Sequence, residues 1–355
     1  MTSAGRPPIL GRSFRSGLFC ALIRPMSATI YRGTLANLRR LARVLQDGGL
    51  VAVPTETVYG LAANALDAKA CRRIFRAKRR PAHDPLIVHV ADRRTLERIA
   101  ETNPAVTKLA RAFWPGPLTL VLPRRPAVPA VVTAGLPSVA VRMPAHPLLR
   151  RLLRLSGLPL AAPSANPFGY VSPTTAAHVQ EGLGRRIQHI LDGGPCRLGL
   201  ESTIVDLRDP LRPVLLRPGV ITVADLTRVL GVPVRPVAPG RSTPSSMLAP
   251  GMLDRHYSPR RPLVLHRHIT ATMVGRAGTT EAWLCFRRPS WAGLRKNVFW
   301  LSARGEPREA ARRLFAQLRR LDRDGWRRLH AELAPPTGSG PAINDRLRRA
   351  AGQRA

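Results

Sequence analysis

The hydrophobic positions of the chain alternate between helical spacing and short continuous runs. From Leu35 to Leu45, apolar residues recur at the spacing of one helix face, which predicts an amphipathic helix. Gly48 and Gly49 end that helix, and the run Leu50–Val53 is typical of a buried strand. Helical spacing returns over Asp67–Ala77, Pro104–Phe113 and Pro147–Leu155, and strand-like runs over Leu86–Val90, Leu118–Leu122, Val139–Val141, Leu158–Ala162, Ser202–Val205 and Val214–Leu216. Intermixed strands and helices predict an α/β or α+β sheet domain of about 200 residues.

A segment rich in proline, serine and glycine, residues 233–262, follows this domain and shows no hydrophobic period. Such a composition predicts an extended linker. Beyond it, Leu263–His266 and Trp283–Phe286 resemble strands, and Glu306–Leu321 has the pattern of an arginine-rich amphipathic helix. We therefore predict a large domain over residues 27–232, a linker over 233–262 and a small α/β domain over 263–350.

The first 26 residues carry arginines and no acidic residue, as a targeting peptide would. Their apolar stretch, Leu18–Ile23, is short, and the absence of a small-residue cleavage site argues against export. We expect a flexible extension, or a start codon placed too early with Met26 as the true start. Import into an organelle stays open for a eukaryotic source.

Composition narrows the classes of protein that the chain could represent. With 355 residues, 44% of them hydrophobic, the chain is long enough to bury a large core. The sequence contains no apolar run long enough for a membrane span, so we expect no membrane attachment. Its four cysteines, Cys20, Cys71, Cys196 and Cys285, are widely spaced. This spacing argues against disulfides or a zinc site and favours a reducing cytoplasm.

The formal net charge of +36 predicts attraction to polyanions such as nucleic acids or nucleotide phosphates. Nearly all of the positive charge is arginine, however, and it is spread along the whole chain. A genome-wide bias toward arginine would give the same composition as a selected basic surface. Charge alone does not decide between these two explanations.

Several polar clusters lie at predicted strand ends, where α/β sheets usually bind ligands. Pro54–Gly60 follows a strand and supplies hydroxyls and a carboxylate. Lys78–Pro85 precedes another strand with three cations and two prolines, which fix the shape of the loop. Fixed cations suit a triphosphate, although a turn and a solvated charge run would look similar. Arg142 at a strand end could bind a carboxylate or form a structural ion pair, and His89 could be an ordinary strand residue.

The sequence has no phosphate-binding loop, nucleophile elbow, zinc-binding H-E-x-x-H or dinucleotide fingerprint, so any nucleotide must be held by other means.

These clusters, together with neighbouring segments, resemble in order the motifs of the YrdC-type threonylcarbamoyl-AMP synthase family in its larger two-domain form. The matching segments are Pro54–Gly60 (PTETVYG), Lys78–Val90 (KRRPAHDPLIVHV), Phe113–Leu122 (FWPGPLTLVL), Val139–Pro144 (VAVRMP), Ala162–Asn166 (APSAN), Glu201–Asp206 (ESTIVD) and Leu216–Gly219 (LRPG). The linker segment Ala249–Pro259 and the terminal segment Ala342–Leu347 also resemble that form. One such motif would be weak support, but an ordered series of them is specific.

The resemblance implies a twisted mixed-sheet catalytic domain, a smaller Rossmann-like C-terminal domain, and nucleotidyltransferase activity. Such an enzyme joins ATP, L-threonine and bicarbonate into threonylcarbamoyl-AMP and releases pyrophosphate. The carbamate of threonine attacks the α-phosphorus, so catalysis would rest on positioning and charge stabilisation without a protein nucleophile. Mg²⁺ would come with the triphosphate, without a protein metal site. A cytoplasmic tRNA-modifying threonylcarbamoyl transferase complex would use the product, and the chain itself could bind RNA or tRNA weakly.

Matched positions also imply the site residues, with Lys78 and Arg80 as the catalytic residues on the phosphates. ATP would be bound by Lys78, Arg80, Asp84, Ser138, Ser164, Ser172, Arg217 and Ala249. Threonine would be bound by Thr57, His89, Arg142, Ala162 and Ser202, with Thr203 a near-equal candidate to Ser202. Arg142 would hold the threonine carboxylate, and the linker residues His256 and Tyr257 would close over the pocket as a lid. The chain departs from the family at Asp84, where Asn is usual, at Arg79, where Gly is usual, and at Ala249, where Ser is commoner.

Two other functions remain to be compared with this one. A noncatalytic protein could hold double-stranded RNA or tRNA on a basic concave sheet, but the chain has few aromatic residues for stacking and no RNA-module motif. A carbamoyl-handling maturation factor has a related domain. Such factors are normally longer and carry cysteine-rich zinc segments, which this chain lacks.

Overall fold

The computed structural model of the protein describes residues 1–2, 27–237 and 256–352. Two of the sequence predictions therefore lie largely outside the described residues, namely the N-terminal extension and the centre of the linker. The described parts form two α/β units, each built on its own sheet.

The first unit contains a mixed sheet of 11 strands with helices packed against it. Its strands are β1 (Thr29–Arg32), β2 (Val51–Val53), β3 (Gly60–Asn64), β4 (Ile87–His89), β5 (Leu118–Pro123), β6 (Ser138–Arg142), β7 (Leu160–Ala161), β8 (His189–Asp192), β9 (Thr203–Asp206), β10 (Val214–Arg217) and β11 (Arg235–Pro236). Its helices are α1 (Leu35–Gln46), α2 (Ala68–Lys78), α3 (Arg93–Ile99), α4 (Pro104–Phe113), α5 (Ala130–Thr133), α6 (Pro147–Ser156), α7 (Ala176–Leu183) and α8 (Val223–Leu230).

The strand order is β1-β8-β2-β3-β7-β4-β6-β5-β9-β10-β11. Strand β4 runs parallel to β6 and antiparallel to β7, so His89 lies opposite both Arg142 and Leu160. Strand β5 runs antiparallel to β6 and parallel to β9. This pairing brings residues that are distant in sequence to neighbouring positions in the middle of the sheet.

Helix α1 shows why the hydrophobic pattern gives this architecture. The side chain of Thr34 accepts a hydrogen bond from the backbone N–H of Asn37 and caps the helix start. Leu38, Leu41 and Leu45 are buried on one face, where they join α6 in an apolar layer over the sheet. The apolar layer covers the helix face that the spacing predicts, and the arginines of α1 are exposed to solvent.

The second unit is a parallel sheet of four strands in the order β12-β15-β13-β14. Its strands are β12 (Leu263–His266), β13 (Glu281–Arg287), β14 (Val298–Ser302) and β15 (Arg328–Glu332), and its helices are α9 (Ala271–Ala277), α10 (Pro307–Arg323) and α11 (Gly340–Ala350). A short 3₁₀ helix covers Ser290–Leu294. Together the two units confirm the predicted fold class, a mixed-sheet domain followed by a smaller parallel α/β domain.

An apolar cluster joins the two units. Val171 and Leu200 of the first unit pack in one core with Phe315 of α10. At its edge, the Tyr170 hydroxyl donates a hydrogen bond of 2.8 Å to Asp322 Oδ2. Arg319 of α10 donates one of 2.8 Å to the carbonyl oxygen of Val171. The second unit therefore packs directly against the loops of the first.

Most of the elements expected from the sequence are present, with bounds shifted by a few residues. Helix α4 has the predicted bounds, but the strand expected over Leu158–Ala162 is reduced to the two residues of β7. Pro159 and Pro163 flank β7, and proline cannot donate to a strand ladder. Strand β11 belongs to the first sheet although it lies in the segment predicted as linker. The domain bounds themselves stay predictions.

Two further features concern the whole described part of the chain. Its cysteines, Cys71, Cys196 and Cys285, are buried and free. No helix within the described ranges is long and apolar enough to cross a membrane.

Candidate active site

Polar residues from several strand ends and from the last part of the predicted linker surround one cavity. It is lined by Thr55, Thr57, Val58, Gly60, Arg80, Ile87, His89, Arg142, Ala162, Pro163, Ser164, Glu201, Ser202, Arg217, His256 and Tyr257. The structure thus brings together most of the residues that the sequence suggested for ATP, for threonine and for the lid. Their individual roles stay predictions at this point.

The loop after β2 forms one wall of the cavity. The Thr55 hydroxyl accepts hydrogen bonds from the backbone N–H groups of Thr57 and Val58, at 3.0 and 3.1 Å. This local turn holds the hydroxyl of Thr57 toward Arg142, whose Nη1 donates to it at 2.9 Å. Gly60 begins the next strand, and a Cβ there would lie only 3.2 Å from the Cβ of Ala162. The close approach of these two loops therefore favours glycine at this position.

Arg142 is held by an acidic partner that the sequence analysis did not identify. Its Nη2 lies 2.6 Å from Glu56 Oε1, and its Nε donates to the carbonyl oxygen of Gly116 at 3.1 Å. Both side chains of the ion pair are 4% exposed, so water screens the pair weakly. Burial opposes ionisation of Glu56, but the charge of Arg142 and its hydrogen bond hold the pKa of Glu56 below its usual value. The guanidinium is therefore fixed at the cavity wall by an ionised carboxylate.

His89 lies beside Arg142 on the neighbouring strand and is buried. Burial and the positive charge of Arg142 lower the pKa of His89 to about 3. Its imidazole is therefore neutral at physiological pH. It can accept or donate a hydrogen bond, but it adds no positive charge to the cavity.

The cationic loop places its two predicted phosphate ligands differently. Arg80 lines the cavity, and its guanidinium forms a 2.8 Å ion pair with Asp84 and a 2.8 Å hydrogen bond to the carbonyl oxygen of Pro85. Lys78 lies behind this surface, where its Nζ donates to the carbonyl oxygens of Ser164 and Asn166, both at 2.5 Å. Burial, reinforced by the charge of Arg80, holds the pKa of Lys78 well below its usual value. Lys78 therefore ties the loop to the segment that contains Ser164.

Arg217 reaches the cavity from the end of β10. Its Nε donates to the carbonyl oxygen of Ser202 at 3.1 Å, and its Nη2 donates to the Ser202 hydroxyl at the same distance. A Cβ on Gly219 would lie 2.4 Å from the backbone nitrogen of Thr203, so the loop after β10 approaches β9 as only glycine allows. Arg217 and Ser202 are thereby held together at the cavity wall.

Several predicted site residues lie outside the lining. Ser138 is buried at the start of β6, Ser172 donates to Glu201 at 2.6 Å, and Asp84 is paired with Arg80. Thr203 donates to the carbonyl oxygen of Ile221 at 2.9 Å, so of the pair Ser202 and Thr203 only Ser202 lines the cavity. Ala249 lies outside the described residues.

His256 and Tyr257 reach the cavity from the linker, shortly before β12 of the second unit. Their rings meet edge to face, with 4.1 Å between centroids. The backbone N–H groups on either side of Tyr257 are bonded, that of His256 to Arg349 at 3.2 Å and that of Ser258 to Gly169 at 2.8 Å. Burial and the charge of Arg80, followed by those of Lys78 and Arg217, hold the pKa of His256 well below its usual value. Both rings are buried among the cations of the site.

Four buried polar atoms on the lining residues have no hydrogen-bond partner within the described residues. They are Nδ1 of His89, Nδ1 of His256, the Tyr257 hydroxyl and Nη2 of Arg142, of which Arg142 Nη2 has the ion pair with Glu56. Buried polar groups in proteins are almost always bonded, so such atoms around one cavity are what a polar ligand would satisfy. The arginines beside them suit anionic groups, either a carboxylate or phosphates.

Comparisons with known proteins agree along nearly the whole chain. The Sua5/YciO/YrdC family model, described as telomere recombination, matches residues 43–219. A model described as threonylcarbamoyl-AMP synthase, C-terminal domain, matches residues 221–352. Neither match depends on the geometry above, and together they cover both units.

Full-length relatives and a solved structure agree with these matches. The threonylcarbamoyl-AMP synthase of Pyrococcus abyssi is 44% identical over 328 residues, which cover 90% of this chain and 95% of the relative. That of Bacillus subtilis is 42% identical over 328 residues, covering 90% and 94%. The crystal structure of P. abyssi Sua5 complexed with L-threonine superimposes with a TM-score of 0.81 at 41% identity, covering 92% of this chain and 98% of that one.

Proposed function

The chain belongs to the threonylcarbamoyl-AMP synthase family in its two-domain form, and from that premise we propose that its cavity joins ATP, L-threonine and bicarbonate into threonylcarbamoyl-AMP. The enzyme is a nucleotidyltransferase, and the threonylcarbamoyl group that it activates serves tRNA modification. One observation carries the proposal: Arg142, Arg80 and Arg217 all face the same buried cavity. An amino-acid carboxylate and nucleotide phosphates each need such a cation.

Threonine is assigned to the wall formed by Thr57, His89 and Arg142. The relative whose crystal structure contains L-threonine matches this chain over 92% of its length. We assign the carboxylate of threonine to Arg142, because the ion pair with Glu56 fixes that guanidinium at the wall. Neutral His89 and the hydroxyl of Thr57 provide hydrogen bonds without competing for the carboxylate. Ala162 and Ser202 complete the wall.

ATP is assigned to the wall formed by Arg80, Ser164 and Arg217, with Arg80 on the phosphates. Lys78 supports this wall from behind through the carbonyl oxygens of Ser164 and Asn166. The lid residues His256 and Tyr257 line the same cavity, and we propose that they close over the bound nucleotide. Asp84, Ser138 and Ser172 lie outside the cavity lining, and we assign them supporting positions in the ATP site. Asp84 pairs with Arg80, Ser172 donates to Glu201, and Ser138 is buried at the start of β6.

Mg²⁺ enters this scheme as part of the substrate, MgATP. Among the described residues, no group of three His, Cys, Asp or Glu side chains could hold a metal ion. The carboxylate that lines the cavity, Glu201, is paired with Arg346. Those of Glu56 and Asp84 are paired with Arg142 and Arg80. These carboxylates hold arginine side chains in position and are poorly suited to bind a metal ion. Mg²⁺ usually binds through substrate phosphates and water. Its bound form would neutralise charge on the departing pyrophosphate.

The reaction then needs no nucleophile from the protein. The amine of threonine attacks the carbon of bicarbonate, water leaves, and a carbamate forms. A carbamate oxygen attacks the α-phosphorus of ATP, the bond to the β-phosphate oxygen breaks, and pyrophosphate leaves with the electron pair. Arg142 orients the carbamate, Arg80 and Arg217 stabilise charge on the phosphates, and the closed lid excludes water from the intermediate. A threonylcarbamoyl transferase complex then uses the product.

A direct assay tests this function. The purified full-length chain, given MgATP, L-threonine and labelled bicarbonate without tRNA, should release pyrophosphate and form a labelled adenylate. Arg80→Lys should lower kcat/KM for ATP at least tenfold, because an ammonium group cannot make the two directed bonds of the guanidinium. Pyrophosphate release that does not depend on threonine would refute the assignment. Tight tRNA binding without turnover would favour the noncatalytic alternative.

A further inference from the structure

Another cavity, of about 220 Å³, is lined by residues of helices α3 and α4 and of the loops near them. It shares none of its described lining residues with the catalytic cavity. Its apolar wall consists of Leu96, Val106, Ala110, Trp114 and Met143. An apolar cavity of about 150 Å³ can hold a benzene molecule, so this one has room for a small bicyclic ring system.

The charged groups of this cavity are two arginines at its mouth. Arg111, in the last turn of α4, is exposed and has no hydrogen bond or ion pair with any residue in the described ranges. Arg93, also exposed, forms a 2.7 Å ion pair with Glu97. No acidic residue is among the described residues of the lining. The ligand that complements such a site has an apolar body for the wall and a carboxylate for Arg111.

The apolar wall is connected to the arginine that we assign to threonine. Met143 directly follows Arg142, and its carbonyl oxygen accepts a 2.8 Å hydrogen bond from the backbone N–H of Gly116. The carbonyl oxygen of Gly116 in turn accepts the 3.1 Å hydrogen bond from Arg142 Nε. Trp114 lies two positions before Gly116, and its indole N–H donates to the carbonyl oxygen of Leu118 at 2.7 Å. Two segments of the cavity wall therefore also position the Arg142 guanidinium.

A ligand in this cavity would restrict those segments. Trp114 and Met143 are only partly buried, and each packs against the main core of the first unit. The turn between them and Arg142 is tight, since a Cβ on Gly116 would lie 2.2 Å from the carbonyl oxygen of Phe113. An apolar body packed on Trp114 and Met143 would reduce their motion and hold Arg142 in place before threonine binds.

We propose that this cavity binds a small amphiphilic anion, with an apolar body and one carboxylate, and that the bound anion strengthens threonine binding through Gly116 and Met143. The anion takes no part in the reaction. Its effect on threonine rests on the proposed function, whereas its binding to the cavity does not.

Calorimetric titration of the full-length protein with naphthoate, a bicyclic aromatic carboxylate, tests the binding site. Arg111→Gln should weaken naphthoate binding about tenfold, because it removes the charge-assisted hydrogen bond to the carboxylate. The neutral analogue naphthamide should bind the wild type and Arg111→Gln equally. Arg98→Gln, which removes an exposed arginine of α3 outside the lining, should keep the wild-type affinity for naphthoate.

Ala110→Phe tests whether the apolar wall is the binding surface. The new ring occupies the cavity and should prevent naphthoate binding. The thermal midpoint of this variant shows whether it folds. Arg111→Gln changes an exposed side chain, so it keeps the proposal testable if Ala110→Phe does not fold.

The connection to Arg142 is tested by linkage. Saturating threonine should tighten naphthoate binding about fivefold, and naphthoate should tighten threonine binding by the same factor, because coupling between two sites is reciprocal. In the pyrophosphate assay, saturating naphthoate should lower KM for threonine about fivefold and change KM for ATP less than about twofold.

Four results would overturn the proposal: no binding of naphthoate to the wild type, equal naphthoate affinity in Arg111→Gln, binding retained in folded Ala110→Phe, or threonine binding that naphthoate leaves unchanged or weakens. If the wild-type protein shows no threonine-dependent pyrophosphate release, the proposed function fails instead. Calorimetry with naphthoate alone would still decide whether the cavity is a binding site.

Discussion

At the scale of single residues, the site depends on arginines that are fixed by buried partners. Arg80 is paired with Asp84, and Arg142 with Glu56. A mobile arginine side chain would lose conformational entropy about several rotatable bonds when it binds a ligand. A side chain that is already fixed has lost that entropy during folding. Asp84 replaces the usual Asn of the family, and its carboxylate here serves Arg80.

The pair of Arg142 and Glu56 leads to a prediction about threonine. Glu56→Gln removes the charge that orients Arg142 but keeps the shape of the side chain. KM for threonine should rise about tenfold, with a change of less than about threefold in KM for ATP, measured by pyrophosphate release. The matched control is Glu97→Gln, which removes an exposed ion pair with Arg93 and should have no effect. Equal changes in both KM values would contradict a specific role in threonine binding.

His89 leads to a prediction about pH. Its pKa is about 3 in the folded protein, against a usual value of 6.5. Between these values the unfolded chain binds a proton that the folded chain does not, so stability is complete above pH 6.5 and is lost as the pH falls toward 3. From pH 7 to pH 5 this histidine alone should remove about 2 kcal/mol. Urea unfolding of His89→Gln at both pH values should show a correspondingly smaller loss than the wild type, and an equal loss would contradict the assignment.

The sequence identified the residues of the site better than their connections. Thr57, His89 and Arg142 were all found through motif positions, and each lies at the cavity. Glu56 was missed as a partner although it stands within a recognised motif, because only the pairing of distant strands brings it to Arg142. The contact of Arg319 with Val171 was missed for the same reason, since the two residues lie 148 positions apart in sequence.

At the scale of elements, the end of α2 shows how a local conformation shapes the site. The helix ends at Lys78, and Arg79 follows in the left-handed conformation, with a φ of 54°. Glycine adopts this conformation without the strain of a Cβ, which explains why the family usually has Gly here. Arg79 nevertheless keeps the turn, so the cationic loop that follows has its expected course toward the cavity.

Arg79→Gly should therefore stabilise the protein. Relief of left-handed strain outweighs the extra freedom of glycine in the unfolded chain, and we expect a gain of about 0.5–1 kcal/mol in the free energy of unfolding. The control is Arg72→Gly, an exposed position within the same helix, which should cost about 1 kcal/mol. Denaturant titration of both variants compares them. A loss in both would show that Arg79 makes a stabilising contact that outweighs the strain.

Strong periodicity made some elements predictable, and its absence hid others. The apolar spacing of α1 and the proline at the start of α4 placed both helices correctly. Strands β1 and β8 were missed because TIYR and HILD mix polar and apolar residues. They pair with each other at the edge of the sheet, where one face needs no apolar cover. Such strands are specified by their partners more than by their own sequence.

At the scale of the whole molecule, composition alone could not identify the function. The chain has 57 basic and 21 acidic residues, so most of its cations cannot have acidic partners. The few arginines of the cavity were distinguished from the rest by motif order and by their burial. The general excess remains compatible with both arginine bias and a basic surface, and weak RNA binding and cytoplasmic location stay predictions.

The contact between the two units leads to the last prediction, which concerns cooperative unfolding. Val171 and Leu200 share an apolar core with Phe315, and Arg319 crosses the same contact. Arg319 is 2% exposed and donates to the carbonyl oxygens of Val171 and Ser172. Because neither unit can open without exposing this core, the wild-type protein should unfold in one calorimetric transition whose van't Hoff and calorimetric enthalpies agree.

Arg319→Leu should separate the two units without altering either sheet. The change leaves two buried carbonyl oxygens without these donors, and each loss costs about 1–3 kcal/mol in the free energy of unfolding. Only the contact between the units is weakened. We expect a lower midpoint and a second resolved transition, together with a lower kcat, because the ring of Tyr257 lies 5.4 Å from that of Phe315 in the second unit. Arg323→Leu, whose side chain is 55% exposed in an ion pair with Glu181, should leave the calorimetric trace unchanged. Two transitions in the wild-type protein would instead mean that the domains fold independently, and the lid would then depend on local contacts alone.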